Sequence, residues 1–294
     1  MSLLITTSIG SGDLLDHYQL EGLVATGGMA SIFRATDTKT GRPVAVKIPH
    51  PEKVGDRLAL ERFHHETEIG RKFDHPGLAK MLPNDGASSR YAVMEWVDGQ
   101  LLREIIDEQG KLPIERAIRI TLAICDALEY IHGHGVVHRD LKPDNVLVCA
   151  EDNIKLIDFG IACETKVNLW GRAKPGEAMG TPGYVSPEQI KGKRGDARSD
   201  VYSLGIVLFE MLTGEVPFSG LDPLTAMNLR LLVDPPLLRE INPDVSPRLQ
   251  VTVHRALARD RANRHASARE FASDLSELFA QETAAPPLES LAAF

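Results

Sequence analysis

The chain has 294 residues, of which 43% are hydrophobic and 25% charged, and its formal net charge is −8. This length suffices for one large domain or for two lobes around a shared cleft. The acidic balance argues against a nucleic-acid partner, which rewards clustered Lys and Arg. No run of about 18 apolar residues is present to predict a membrane-spanning helix.

The first 97 residues have mainly the pattern of strands. Short runs of branched and apolar residues, separated by Gly-rich or polar turns, predict strands over Tyr18–Val24, Ser31–Asp37, Pro43–Ile48 and Arg90–Val97. One helix interrupts these strands, over Leu58–Lys72.

After Gly99 the periodicity becomes helical. Apolar residues recur at helical spacing for about five turns between Ile114 and Ile131. Val201–Leu212 is apolar nearly all round, which predicts a buried helix. Further helices are predicted over Leu101–Ile106, Leu224–Leu232, Pro247–Ala258 and Ala266–Phe279.

These patterns predict an α+β fold with a small β-rich N-terminal lobe, containing one main helix, and a larger, mostly helical C-terminal lobe. The domain would occupy residues 18–280, with the lobes at 18–97 and 98–280. Residues 1–17 would form an N-terminal extension and residues 281–294 a disordered tail.

The three cysteines, Cys125, Cys149 and Cys163, form no CxxC pair and have no histidine partner at zinc-ligand spacing. This excludes a disulfide framework and a structural zinc site. We interpret Cys125 and Cys149 as small core residues. Free thiols suit a reducing compartment, so we expect a cytoplasmic chain, although a longer parent protein could carry a membrane anchor beyond Phe294.

The strongest chemical signal is a polar run followed by a short second motif. It reads His138-Arg139-Asp140-Leu141-Lys142-Pro143-Asp144-Asn145, and Asp158-Phe159-Gly160 comes after it. These motifs resemble those of the eukaryotic-type (Hanks-type) serine/threonine protein kinases, bacterial members most of all. The resemblance extends from about Tyr18 to Leu278. It implies a two-lobed protein-kinase-like fold that binds ATP and Mg²⁺, with Mn²⁺ as an alternative metal ion.

The resemblance implies a role for each polar residue of these motifs. Phosphoryl transfer needs positioning and charge neutralisation more than covalent chemistry. Asp140 would act as the base for the substrate hydroxyl, and Lys142 would contact the γ-phosphate. Lys142 also goes with Ser/Thr specificity in the family. Asn145 and Asp158 would supply the hard oxygen ligands that Mg²⁺ prefers.

A second motif, Val44-Ala45-Val46-Lys47, lies on a predicted strand, where Ala45 and Lys47 share a face. By resemblance, Ala45 would cover the adenine and Lys47 would reach the α- and β-phosphates. Lys47 would pair with a helical glutamate. Glu66 is preferred for its spacing to His75, and Glu61 and Glu68 are the rivals.

The Gly-rich loop of the family departs from its pattern here. The residues implied for nucleotide binding are Val24, Ala25, Thr26, Gly27, Gly28 and Ile32. The central Gly27 is retained, whereas Ala25 and Ala30 replace the flanking glycines. Because a methyl group limits close backbone approach, we expect a weakened loop with a lowered ATP affinity.

The segment that joins the lobes resembles the family's hinge. Backbone groups of Glu95 and Val97 would pair with the adenine edge, with Met94 at the back of the pocket and Leu147 as its floor. Simple core packing is the alternative role for Met94.

Several further residues are implied to support the site. Glu188 would pair with a distant arginine, Arg264, and Asp200 would brace the catalytic loop through hydrogen bonds to its backbone. His64, His65, His132 and His134 show no ligand-like constellation and are interpreted as structural or exposed.

The activation segment, Asp158–Glu188, contains only Thr165, Thr181 and Ser186 as Ser or Thr residues. In the family, Arg139 usually binds a phosphate on this segment. Since 166–180 has no Ser or Thr, we hypothesise that Glu164 or Glu177 supplies a fixed negative charge to Arg139.

Three functions remain open at this point. The first is a Ser/Thr protein kinase acting on protein substrates. The second is a nucleotide-binding pseudokinase scaffold, which only Ala25 and Ala30 favour. The third is a small-molecule kinase, disfavoured because Thr181–Glu188 resembles a protein-substrate platform. Family members often activate each other in pairs, so a homodimer is also open.

Overall fold

The computed structural model describes residues 9–51, 57–83, 91–158 and 182–284. The chain divides into two compact units, Met1–Asp98 and Gly99–Phe294. In the parts described, the first unit is built from strands with one long helix and the second is mainly helical.

The first unit is an antiparallel sheet in which five strands follow one another in chain order. The strands are β1 (Leu14–Leu15), β2 (Tyr18–Thr26), β3 (Ala30–Asp37), β4 (Pro43–Pro49) and β5 (Ala92–Glu95). Helix α1 (Arg57–Gly70) lies between β4 and β5 in the chain. Turns of Gly, Asp and Thr residues separate runs rich in Val, Ile and Phe, which suit a half-buried pleated surface.

The strand register divides the sheet into two faces with different roles. One face carries the apolar core of this unit, including Leu20, Phe33, Val46 and Val93. Residues directly opposite each other share a face, and Lys47 lies opposite Ile32 while Ala45 lies opposite Met94. The other face therefore carries four of the residues that were predicted to bind nucleotide, Ile32, Ala45, Lys47 and Met94.

The second unit begins with a small three-stranded sheet and continues as packed helices. Its strands are β6 (Gln100–Leu101), β7 (Val146–Val148) and β8 (Ile154–Leu156). The helices of the second unit are α2 (Leu102–Gln109), α3 (Ile114–Gly133), α4 (Pro187–Ile190), α5 (Ala197–Thr213), α6 (Pro223–Leu232), α7 (Leu238–Ile241), α8 (Pro247–Ala256) and α9 (Ala268–Ala284).

Helix α5 is the centre of the second unit. Every residue from Ser199 to Leu212 is buried, which confirms the predicted buried helix. It packs against α3, α8 and α9. At Gly205, an added Cβ would lie 3.0 Å from both Ala256 and Leu257, so the absent side chain allows α8 to approach closely.

Some predicted boundaries differ from the structure. Leu14–Leu15, within the predicted extension, pairs with β2, and Asp16 accepts a 2.5 Å hydrogen bond from Tyr91. At the other end α9 continues to Ala284, beyond residue 280. Cys125 is buried as predicted, but Cys149 is half-exposed, because it follows β7 at the start of a surface turn.

Within the helices that the structure describes, none is both long enough and apolar enough to cross a membrane.

The turn between β7 and β8 holds two consecutive residues in the left-handed region, Glu151 (φ 58°) and Asp152 (φ 57°). Arg116 and Arg119 bind the Asp152 carboxylate at 2.8 and 2.9 Å and hold the turn in place. Positive φ is unfavourable for residues with a Cβ atom.

We therefore expect Glu151→Gly to stabilise the protein by about 0.5–1 kcal/mol, since glycine adopts this conformation without strain. Chemical denaturation would measure the change. Glu151→Ala is the matched control, because it removes the same side chain and keeps the Cβ atom. Equal effects of the two substitutions would contradict the conformational explanation.

A buried histidine makes stability depend on pH. His265 is fully buried, and its Nε2 lies 3.0 Å from Asp274. Burial, followed by the nearby charge of Arg255, lowers the pKa of His265. The unfolded chain therefore binds a proton more readily, and stability should fall as the pH drops below about 6.5, by up to about 1.4 kcal/mol per pH unit from this group.

His265→Gln should reduce this slope in urea denaturation measured between pH 7.5 and 5, because glutamine does not titrate. The same slope in the wild type and the variant would show that His265 is not responsible.

Candidate active site

The predicted catalytic residues of the second unit lie together in one turn. Lys142 Nζ lies 3.2 Å from Asp140 Oδ2. The side-chain amide of Asn145 donates to the Asp140 carbonyl at 2.7 Å and to Asp140 Oδ2 at 3.2 Å. The Asp140 side chain is 48% exposed, so its carboxylate is both oriented by the protein and open to an incoming group.

This turn is anchored from beneath by helix α5. Asp200, fully buried, accepts from the backbone N–H groups of His138 and Arg139, each at 2.8 Å. These bonds confirm the predicted brace. They also hold Arg139 at φ 64°, a conformation that costs energy for a non-glycine residue and that persists only when the surroundings enforce it.

Histidines complete the support of the turn. His132 Nε2 lies 2.7 Å from Asp200 Oδ2, which gives this histidine the structural role expected of it. Burial lowers the pKa of His138, so its ring stays neutral and Nδ1 accepts from the Asp140 N–H at 3.4 Å. No sequence signal distinguished His132 from His134.

The β7–β8 hairpin brings Asn145 and Asp158 to the same end of the small sheet. Asn145 directly precedes β7 and Asp158 follows β8 by two residues. The Ile157 N–H donates to the Asn145 carbonyl at 3.1 Å, which extends the ladder by one pair. Asp158 directly follows Ile157, the residue that pairs with Asn145, so Asp158 and Asn145 lie at the same end of the sheet.

These two residues fit a hard divalent cation. Because the side-chain nitrogen of Asn145 is bound to Asp140, its amide oxygen is turned away from that bond and can act as a ligand. A carboxylate and an amide oxygen are typical Mg²⁺ ligands, with water and phosphate oxygens supplying the rest. The described residues contain no cluster of three His, Cys, Asp or Glu side chains that would form an all-protein metal cage.

In the first unit, the predicted ion pair between strand and helix is present. Lys47 Nζ lies 2.9 Å from Glu66 Oε1, with side-chain exposures of 14% and 17%. Of the three glutamates considered, the structure thus pairs Glu66 with Lys47. The ammonium group is held at a defined place on the face of the sheet opposite to the core.

The Gly-rich loop lies between β2 and β3. The Gly27 N–H donates to the Ala30 carbonyl at 2.9 Å and closes the hairpin. Neither Gly27 nor Gly28 has a positive φ, and an added Cβ would meet only the Ala30 oxygen at 3.6 Å from Gly27 and nothing from Gly28. The packing of the described chain does not explain why these positions are glycine. The predicted loop residues are exposed to solvent, with Val24 at 53%. They are Val24, Ala25, Thr26, Gly27 and Gly28.

The predicted adenine-binding residues differ in exposure. Ala45 and Met94 are largely buried at 9% and 7%, whereas Glu95, Val97 and Leu147 are half-buried. The Glu95 N–H is already bound to the Lys80 carbonyl at 2.9 Å, so it is not available to a ligand. Within the described part of the chain, no backbone group receives the Val97 N–H.

Trp96, between these residues, is held by the protein. Its indole N–H donates to Asp98 at 2.9 Å and Arg34 lies 4.9 Å above the ring. Both contacts join Trp96 to other side chains of the protein and give it a structural role.

The segment after residue 181 is fastened to α5. Arg264 binds Glu188 through two 2.8 Å hydrogen bonds, which confirms the predicted pair. Ser186 is fully buried and its hydroxyl donates to Gln189 at 2.7 Å. The Gln189 side chain donates to the Arg139 carbonyl at 3.0 Å, which links this segment to the catalytic turn.

Several predicted features lie outside the described residues. They are Phe159, Gly160, Cys163, Glu164, Thr165, Glu177 and Thr181.

Comparison with known proteins defines the family. Residues 18–275 match the family described as the protein kinase domain. The chain belongs to this family. It is 37% identical over 267 residues to the serine/threonine-protein kinase PknB of Mycolicibacterium smegmatis, covering 89% of this chain and 43% of that protein. It is 34% identical over 274 residues to the probable serine/threonine-protein kinase PknB of Corynebacterium glutamicum, covering 90% and 42%.

The chain thus spans about two fifths of the length of these curated relatives. Among solved structures, the PknI kinase domain of Mycobacterium tuberculosis is similar, with a TM-score of 0.72 and 27% identity, covering 93% of this chain and 100% of that one. These comparisons confirm the protein-kinase fold and the resemblance to bacterial Hanks-type kinases.

Proposed function

We propose that this chain is a serine/threonine protein kinase that transfers the γ-phosphate of ATP to Ser or Thr hydroxyls of protein substrates. The arrangement that carries the proposal is the turn in which Lys142 and Asn145 both contact an exposed Asp140 carboxylate. This turn thus places a proposed base, Asp140, within a few ångströms of the Lys142 ammonium group and of a proposed metal ligand, Asn145. Phosphoryl transfer requires groups of these three kinds close together.

In the proposed mechanism, Asp140 accepts a hydrogen bond from the substrate hydroxyl and takes its proton as the oxygen attacks the γ-phosphorus. The bond from the γ-phosphorus to the β,γ-bridging oxygen breaks, and ADP leaves with that oxygen. Lys142, close to the same carboxylate, stabilises the charge on the transferred group. Asn145 and Asp158 would hold Mg²⁺, which would neutralise negative charge on the phosphates. Asp200 keeps Asp140 in place through the backbone of the turn.

For the nucleotide, we assign the phosphates to Lys47, oriented by Glu66, and to the loop at Gly27 and Gly28. The glycines support this assignment, because neither backbone conformation nor packing within the described chain requires them, whereas close approach of a phosphate to the loop backbone does. The alanines at positions 25 and 30 would lower affinity through their methyl groups.

Adenine would lie against the face of the first unit's sheet that carries Ala45 and Met94, with a contribution from Ile32. The Val97 N–H is the proposed donor to the adenine edge, since the Glu95 N–H is occupied by Lys80.

The substrate class follows from two lines of support. Lys142 is the residue that goes with Ser/Thr specificity in the family, and the curated relatives are named as serine/threonine-protein kinases.

The test is transfer of label from γ-labelled ATP, with Mg²⁺, to myelin basic protein and casein, followed by phosphoamino-acid analysis. Label on Ser or Thr supports the proposal. ATP binding without transfer to any protein would favour the pseudokinase scaffold, and label on a small-molecule acceptor alone would favour the third class.

Lys47→Met is expected to lower the rate of transfer by about 100-fold or more, because a preorganised positive charge on the phosphates is lost. The matched control is Lys39→Met, a lysine of the exposed β3–β4 turn, which should keep wild-type activity. Equal activity of the two variants would contradict the role of Lys47.

We also propose that activity does not need a phosphothreonine in the middle of the activation segment, since 166–180 has no Ser or Thr. Active protein should therefore keep its activity without a stoichiometric phosphate on Thr165, as mass spectrometry would show. Phosphate on Thr165 whose removal abolishes activity would overturn this idea.

A further inference from the structure

One buried carboxylate joins three parts of the second unit. Glu210, on α5, accepts from Arg103 Nη1 at 2.7 Å and from the Tyr184 hydroxyl at 2.6 Å. Arg103 Nη1 also donates to the Tyr184 hydroxyl at 3.3 Å. Helix α2, helix α5 and the turn Pro182–Tyr184 therefore meet at Glu210.

The charged state of each group in this contact is stabilised by its neighbours. The side chain of Glu210 is 5% exposed and that of Arg103 is 25% exposed. A buried carboxylate is costly unless it is paired and hydrogen-bonded. Burial and the charge of Glu210 raise the pKa of Tyr184, so its hydroxyl stays protonated and donates. Burial opposes the charge on Arg103, but the hydrogen bond and charge of Glu210 outweigh it and raise the pKa of Arg103.

Tyr184 is held at a second point by the same helix. The Ser203 hydroxyl donates to the Tyr184 carbonyl at 2.8 Å. Ser203 lies about two turns before Glu210 on α5. Asp200, which anchors the catalytic turn, lies three residues before Ser203. One helix thus sets the positions of both the catalytic turn and Tyr184.

We propose that Arg103 is a positioning residue for protein-substrate binding. Arg103 neutralises the charge of Glu210. Helix α5 can then hold Tyr184, and the residues after Tyr184, in a fixed position relative to the catalytic turn. This inference rests on the proposed kinase function, in which the segment ending at Glu188 supports the protein substrate. Arg103 acts through Glu210 and Tyr184. Its side-chain hydrogen bonds in the described part of the chain go to Asp107, Tyr184 and Glu210, none of which is assigned to ATP.

Steady-state kinetics with casein and ATP varied separately would test the proposal. Arg103→Met should raise the KM for casein about tenfold, with the KM for ATP changed less than about twofold. Arg103→Lys should recover part of the loss, because it restores the charge without the planar fork. Asp107→Asn is the matched control: it removes the other ion pair of Arg103, at 2.8 Å to a 64% exposed carboxylate, and should leave both KM values unchanged.

A double variant separates positioning from stability. Arg103→Met leaves Glu210 as a buried unpaired charge, whereas Arg103→Met with Glu210→Gln leaves none. The double variant should recover thermal stability and keep the raised KM for casein. Recovery of the wild-type KM, or an equal rise of both KM values in Arg103→Met, would overturn the proposal.

Hydrogen exchange supplies a readout that needs no turnover. The amides of residues 183–185 should exchange faster in Arg103→Met than in the wild type, and unchanged exchange would overturn the inference. If the wild type transferred no phosphate to protein, the proposed function would fail, while faster exchange would still support the contact through which Arg103 acts.

Discussion

Asp140→Asn is expected to lower the rate of phosphoryl transfer by about 10²–10⁴-fold, the usual contribution of a positioned general base. The structure indicates that this substitution changes little apart from the proton acceptor. The side-chain oxygen of the introduced asparagine can still accept from the Asn145 amide, and the backbone of the turn stays anchored by Asp200. The substitution therefore removes the proton acceptor with little change in geometry.

The measurement is initial rate with saturating ATP and protein substrate, alongside nucleotide affinity by calorimetry. ATP affinity should change little, because Lys47, Glu66 and the loop at Gly27 are unaltered. Asp144→Asn is the matched control, since Asp144 lies in the same turn with a half-buried side chain and has no assigned role.

Equal rates for the wild type and Asp140→Asn would mean that Asp140 is not the base or that a contaminating kinase supplies the signal. A large loss of rate in Asp144→Asn, together with a wild-type rate in Asp140→Asn, would assign the base to Asp144 instead of Asp140. Either result is distinguishable from unfolding, because the ATP titration reports on the fold.

Arg264→Met or Glu188→Gln is expected to give the largest loss of stability, about 3–5 kcal/mol, because each leaves a buried partner unpaired. The Arg264 side chain is fully buried and Glu188 is 8% exposed. Their two parallel 2.8 Å bonds form a bidentate pair. Ser199 adds a 2.5 Å hydrogen bond to Glu188, and Tyr202 lies 4.8 Å from the guanidinium group.

The pH dependence gives a second measurement of the same pair. Burial would raise the pKa of Glu188, but the hydrogen bonds and charge of Arg264 outweigh it and lower the pKa. The contribution of the pair is thus complete above the ordinary carboxyl pKa of about 4.3 and is lost as the pH falls through the lower folded value. Glu188→Gln should weaken this acid dependence.

Urea denaturation at pH 7 would measure the loss. Asp234→Asn is the matched control, because Asp234 is 71% exposed and pairs with Arg259 at 3.0 Å on the surface. Exposed pairs contribute about 0–1 kcal/mol. If the surface variant and the buried variants lost similar free energies of unfolding, burial of the pair would not explain its contribution to stability.

Local sequence patterns predicted the elements whose burial is periodic. The alternation in β2, β3 and β4 and the apolar run in α5 appear in the structure near their expected bounds. Short elements were missed: β1 has two residues, and β6, β7 and β8 have two or three. Too few residues alternate in such strands for a period to be recognised.

The sequence by itself determined the family of the chain, and the motifs of that family predicted chemical roles for Asp140, Lys142, Asn145, Asp158 and Lys47. Only the tertiary structure decided their partners. It paired Lys47 with Glu66, placed Asn145 beside the end of β8, and brought Arg103 and Tyr184 to Glu210. Arg103 and Glu210 are 107 positions apart. Local periodicity encodes which side of an element faces inward, whereas a pairing over such a distance depends on how the elements pack, and that is set by the burial of the whole core.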